Sequence, residues 1–210
     1  MKSYPSIFND CLSPVTPGPS SSNTAGPYRL GAMASDLLVG KPVHLHGEMS
    51  KKGGYFATFY GMHSDKAFLL GIMKKDLRSY NFNNIYADAD AHGLSYTYEF
   101  SDNVPNRPSE SAWLTLSSEV GDTIFVKTAS LGGGEIYIDE LDGIKTYIDG
   151  KYFYLLVRVA ANFLPSIKNM LPGTYSVADS SSGESLITVR SSTPIDTDLV
   201  SKVRTANGVL

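Results

Sequence analysis

Residues 17–27 read PGPSSSNTAGP, and residues 28–38 directly after them read YRLGAMASDLL. The first segment has the composition of either a flexible linker or a shaped polar loop. The second segment decides between them. Leu30, Met33, Ala34, Leu37 and Leu38 recur at i, i+3, i+4, i+7 and i+8, the spacing of one buried helix face. Ser, Thr and Asn residues ahead of a helix are capping signals, and Pro27 suits the first helical position. The spacing predicts a helix over Tyr28–Leu38, so the loop delivers into a helix N-terminus. Free backbone N–H groups and the helix dipole favour an anion there. Ser20, Ser21, Ser22 and Thr24 then carry two readings that can hold together: hydroxyls and backbone groups that bind a carboxylate, or capping and turn bonds that need the same residue types.

The chain alternates helices and strands on either side of this point. Upstream, Ser6–Leu12 reads as a short helix ended by Pro14. Downstream, Val43–Glu48 alternates as a strand, KKGG at 51–54 is a turn, and a helix starts at Ser64 or Asp65 with Ser64 as its N-cap. Residues 84–91 read as a weak helix, Leu94–Phe100 as a strand, and 103–109 as a Pro-rich loop. Strands follow over Ala112–Ser117 and Thr123–Ala129, then a glycine run, Gly132, Gly133 and Gly134. Glu135–Leu141 and Ile144–Ile148 form a hairpin about Asp142-Gly143. From Lys151 the pattern restarts as β-α-β-β-α: strand Tyr152–Ala160, helix Phe163–Leu171, strands Thr174–Asp179 and Ser185–Arg190, helix Asp196–Ala206, with little chain left for a last strand. The fold class is therefore α+β, a mixed sheet with packed helices over 1–149 followed by a small module over 150–210.

Bulk composition narrows the function. A chain of 210 residues with 42% hydrophobic and 19% charged residues is long enough, and apolar enough, to bury a core. Net charge is −3 and the basic residues come only in pairs such as Lys51-Lys52, so a nucleic-acid surface is not expected. Cys11 is the single cysteine, which excludes an internal disulfide and a self-contained thiolate metal site. It reads as a small hydrophobe. No apolar run has the length of a membrane span and no signal-peptide core is present, so a cytoplasmic protein with no membrane partner is expected. His44 and His46 share one face of a strand, but no third ligand is placed beside them, and no metal site is expected. His92 before Gly93 reads as a turn residue.

Four segments in this order carry a resemblance: GPSSSNTAGPYRLGAMA, ATFYGMHSDKAFLLGIM, VPNRPSESAWLTL and ASLGGGEIYIDELDG. They resemble the β chain, or β domain, of the bacterial iron–sulfur L-serine dehydratases. That family shows Gly-Pro-Ser-Ser-Ser-His-Thr near its N-terminus, then Gly-His-Gly-Thr-Asp, His-Pro-Asn and Ser-x-Gly-Gly-Gly. The tail beyond is similar to a shortened form of the ACT domain. The resemblance implies a lyase subunit that eliminates water from L-serine to give pyruvate and ammonia. It also implies a partner, the α chain, whose cysteines hold a 4Fe-4S cluster; this chain alone binds no cofactor. A homodimer through the ACT-like tail is a further family expectation.

The departures lie at the family's histidines. Asn23, Met62 and Arg107 stand at those positions, and extra residues occur around KKGGYF. Asn and Arg do not titrate near neutrality and Met has no proton to exchange. The nearest imidazole is His63, which with Asp65 forms a candidate catalytic pair; the alternative is a surface His beside a helix-start Asp. Ser20, Ser21, Ser22, Asn23, Thr24 and the Gly132–Gly134 run are the candidate substrate-binding residues for a small amino acid. Arg107 is either a carboxylate partner or a surface residue. A non-catalytic regulatory or amino-acid-binding homologue is the alternative function.

Overall fold

The computed structural model describes residues 19–78 and 81–210. The helix expected over Ser6–Leu12 lies outside them. The chain divides into two compact units, one ending at Ile138 and the other spanning Asp139–Leu210. The division falls inside a strand.

The first unit contains α1 (Ala25–Leu37), β1 (Pro42–Ser50), α2 (Gly54–Thr58), α3 (Ser64–Ile72), α4 (Ile85–His92), β2 (Ser95–Ser101), β3 (Glu110–Ser118), β4 (Thr123–Gly132) and the start of β5 (Glu135–Leu141). Its strands lie in the order β2-β1-β3-β4-β5. β1 and β2 are parallel, while β3 runs antiparallel to β1 and to β4. A parallel pair needs a long crossover, and α2, α3 and α4 are that crossover. The expected mixed sheet with packed helices is what the chain forms.

Period-2 alternation places Leu45 and Met49 of β1 in the core with Ala112, Leu114 and Leu116 of β3. α1 packs on α3 and on β4. The α1–α3 contact is unusually close. A Cβ added at Gly31 would stand 2.5 Å from the Phe68 carbonyl oxygen, and one at Gly71 would stand 2.0 Å from that of Tyr28. Two glycines therefore let the two backbones touch.

Three details differ from the sequence reading. α1 begins at Ala25 rather than Tyr28, and Pro27 sits in its first turn, where a missing N–H has no intrahelical partner to lose. Thr24 is its N-cap but makes no side-chain cap bond. Ser64 is the first residue of α3, not its cap; His63 occupies the cap at φ 62, ψ 28, in the left-handed region. The turn at KKGG is followed by the short helix α2, started by Gly54 N–H donating to the Ser109 carbonyl at 2.8 Å.

The second unit opens with the β5–β6 hairpin, β6 being Ile144–Ile148. Asp142 and Gly143 have φ of 49° and 82°, the paired positive values of a type I′ turn. Then come β7 (Phe153–Ala160), α5 (Leu164–Lys168), β8 (Tyr175–Asp179), β9 (Glu184–Ser191) and α6 (Thr197–Arg204), the βαββα order read from the sequence. The strands form an antiparallel sheet in the order β7-β9-β8. Val157, Val159, Ile167, Ile187, Val189 and Val203 make its core. The Asp196 carboxylate caps α6 by accepting from Asp198 N–H at 2.9 Å. The last residues also reach the sheet: Val209 pairs antiparallel with Val159 on β7.

Candidate functional site

The Ser20–Thr24 loop is organised by Asn23, which is 6% exposed. Its amide nitrogen donates to Ser20 Oγ and to Ser22 Oγ, each at 3.2 Å, and these two hydroxyls lie 3.1 Å apart. Its amide oxygen accepts from Thr58 Oγ1 of α2 at 2.8 Å and from Ser64 Oγ of α3 at 3.3 Å. Ser64 Oγ also donates to the Asn23 carbonyl at 2.8 Å. Gly26 N–H closes the loop onto the Ser21 carbonyl at 3.0 Å, and Tyr28 N–H bonds the Thr24 carbonyl at 3.1 Å. The loop is thus built into the first unit between α1, α2 and α3. Each serine oxygen accepts from Asn23, and their mutual bond uses one of their two hydrogens, so one hydroxyl hydrogen is left to donate outward.

His63 and Asp65 flank Ser64 but do not form the imidazole–carboxylate pair. His63 Nδ1 and Asp65 Oδ1 are both buried without a hydrogen-bond partner. Asp65, 2% exposed, instead accepts at Oδ2 from the Tyr86 hydroxyl, and its main-chain oxygen accepts from Tyr98 at 2.8 Å. The left-handed cap at His63 sends its ring towards Phe82, 5.9 Å between centroids. Burial, helped by the Asp65 carboxylate, raises both the Tyr86 and the Tyr98 phenol above the ordinary value, so both remain O–H donors at neutral pH.

Beside the start of α1 lies a second polar group. Ser130, at the end of β4, is fully buried and its hydroxyl has no partner. A Cβ on Gly26 would come within 2.1 Å of that hydroxyl, so glycine in the first turn of α1 is what makes room for it. Tyr55 of α2 is also fully buried with an unpartnered hydroxyl. Burial raises its phenol, and the Glu110 carboxylate adds to the shift. Glu110 stands opposite Ser130 in the β3–β4 register. Buried hydroxyls without a protein partner are rare, and an ordered water, a bound group or local strain accounts for such atoms.

The remaining candidates fall elsewhere. Gly132, Gly133 and Gly134 have φ of 93°, 61° and 80°, and Gly133-Gly134 is the turn between β4 and β5. A Cβ at Gly132 or Gly133 would meet nothing within 4 Å among the described residues. The Gly134 carbonyl accepts from Arg29 at 2.5 Å. Arg107 is exposed. His44 and His46 bond Ser95 and Thr97 of β2 at 2.8 and 2.9 Å, and the described residues contain no group of three or more metal-ligating side chains. Sequence reasoning missed Thr58, Ser64, Tyr86, Tyr98 and Ser130. Ser64 entered only as a helix cap and Ser130 only as the first residue of the Ser-x-Gly-Gly-Gly run; the fold alone brings these residues to the loop, to the start of α1 or to Asp65.

No protein-family model matches the chain. Two known proteins do. Over 154 residues the chain is 33% identical to "Probable L-serine dehydratase, beta chain" of Bacillus subtilis (strain 168), covering 73% of this chain and 68% of that protein. Over 149 residues it is 26% identical to "L-serine dehydratase, beta chain" of Peptoniphilus asaccharolyticus, covering 71% and 66% respectively. No helix among the described residues is long and apolar enough to cross a membrane. The loop motif, the buried Ser130 that opens the Ser-x-Gly-Gly-Gly run, and these two relatives agree: the chain belongs to the family of L-serine dehydratase beta chains.

Proposed function

We propose that this chain is the β subunit of an L-serine dehydratase, working in the cytoplasm with an α chain to convert L-serine to pyruvate and ammonia. The observation that carries this reading is the built loop at the start of α1, with one outward hydroxyl hydrogen and the unpartnered Ser130 hydroxyl beside it. A carboxylate suits that place, because the helix dipole and hydroxyl donors both stabilise negative charge. The chain's part in the reaction is then to hold the amino-acid carboxylate at Ser20–Thr24, with His63 and Asp65 on the α3 side of the loop. Residues 1–149 would be the β-chain domain and 150–210 an ACT-like module that pairs two copies.

The implied 4Fe-4S cluster does not fit this chain. Such a cluster takes several cysteine thiolates, and the chain has one cysteine, Cys11. The cluster therefore belongs to the α chain, and no step here runs through it.

The test is anaerobic L-serine deamination by the chain co-expressed with its α chain, compared with the α chain alone. Turnover well above the α chain alone is expected. A stable, cluster-loaded complex without turnover would remove the chain from this chemistry. Ser21→Ala and Ser22→Ala should weaken carboxylate binding more than they lower the melting temperature. Equal losses would make the loop structural only.

A further inference from the structure

We infer that Thr58, on α2, is a positioning residue that sets the orientation of the Asn23 amide and thereby keeps the serine hydroxyls of the loop directed at a carboxylate ligand. This rests on the reading that the loop binds the amino-acid substrate. The amide of Asn23 can face either way in a buried site, and only its neighbours decide which end meets the serines. Thr58 Oγ1 lies 2.8 Å from the amide oxygen. The other neighbour, Ser64, is 3.3 Å away and has a nearer acceptor in the Asn23 carbonyl at 2.8 Å. Its single hydrogen goes to the nearer one. Thr58 is therefore the nearer of the two donors, and the hydrogen it shares with the amide oxygen keeps that oxygen turned away from the serines. With the oxygen held, the nitrogen donates to Ser20 and Ser22, and one serine hydrogen remains for the ligand. With the amide reversed, its oxygen would draw both serine hydrogens inward and the loop would present lone pairs, which repel a carboxylate.

The helix also limits Thr58. Its hydroxyl hydrogen lies within reach of the Gly54 carbonyl, again at 2.8 Å, one turn back in α2. A serine hydroxyl has the same single hydrogen to share between these two acceptors, whereas valine has the same shape and no hydrogen to give. Thr58→Ser and Thr58→Val thus separate the hydrogen bond from the packing.

Two readouts on the αβ complex decide the matter. The first is hydrogen exchange of the Asn23 side-chain amide, identified by its loss in Asn23→Asp. The second is the KM and kcat for L-serine. Slow exchange in the wild type and Thr58→Ser, fast exchange in Thr58→Val, and a KM raised about tenfold at little-changed kcat in Thr58→Val are expected. Unchanged exchange or unchanged KM in Thr58→Val would overturn the assignment, as would failure of Thr58→Ser to restore both. A wild-type complex that protects the amide yet does not turn over L-serine would instead refute the substrate reading while leaving the anchoring by Thr58 in place.

Discussion

His63 concentrates the site's tension in one residue. A non-glycine residue at φ 62 is held in a region that side chains disfavour. Strain of this kind persists where the surroundings impose it or function needs it. His63→Gly should raise stability by about 1 kcal/mol, because the left-handed conformation no longer carries a Cβ. If the ring takes part in proton transfer, kcat should fall at the same time by about a hundredfold or more. A calorimetric melt and a turnover assay on one sample read both; a rise in Tm with unchanged kcat would leave His63 out of the chemistry. Tyr55 makes the complementary case. Its buried, unpartnered hydroxyl costs desolvation energy in the ligand-free chain, so Tyr55→Phe should hold or raise stability, by up to about 2 kcal/mol. A clear fall in Tm would show that the hydroxyl has a partner after all. At this scale the sequence displayed the residue types but not their partners. Ser20 to Thr24 were legible as a polar loop on a helix start. That Asp65 faces Tyr86 and not His63 was not legible, because the left-handed conformation of His63 itself redirects its side chain and leaves no trace in residue spacing.

The α1–α3 pair governs the elements. Helix periodicity in 28–38 and the apolar face after Ser64 were enough to foresee both helices, since amphipathic spacing over three turns is a strong signal. Periodicity did not reveal how close they come. That depends on Gly31 and Gly71, each facing a carbonyl oxygen of the other helix. Gly71→Ala should destabilise the first unit by about 3 kcal/mol, because the clash is with backbone that cannot rotate away. Gly31→Ala should do the same to a smaller extent. The helix-propensity gain of alanine, about 1 kcal/mol, works in the opposite direction and sets the threshold. Urea melts of the two variants check this; a stabilised Gly71→Ala would mean that the helices can separate freely. α2 was invisible for the opposite reason. Five residues are too few to show a period, and what forms that helix is its anchoring at Ser109 and at Asn23.

For the molecule as a whole, strand count and order of elements were readable from alternation and turn residues, while the parallel β1–β2 pairing and the return of Val209 to β7 were not. Both are long-range choices that local pattern does not encode. The same distribution of long-range contacts decides how the protein responds to alkali. Each unit holds a tyrosine against a carboxylate: Tyr86 on Asp65 in the first, and Tyr154 on Asp149, at 2.6 Å, in the second. Burial and then the carboxylate bond raise both phenols above their ordinary value of 10.0, that of Tyr154 to about 12. A raised phenol pKa in the folded state means that folding favours the neutral form. Its contribution is therefore complete below pH 10 and is lost as pH rises through the folded value. Stability should accordingly stay flat with respect to these groups up to about pH 10, and fall between there and about pH 12 as the unfolded chain ionises first. Urea midpoints across that range, followed alongside tyrosinate absorbance, measure the slope. Tyr154→Phe and Tyr86→Phe should each reduce it, Tyr86→Phe only in part, because Tyr55 and Tyr98 also carry raised phenols. Identical slopes in wild type and both variants would mean that neither phenol is raised in solution, and the burial of Tyr86 beside Asp65 would have to be reconsidered with it.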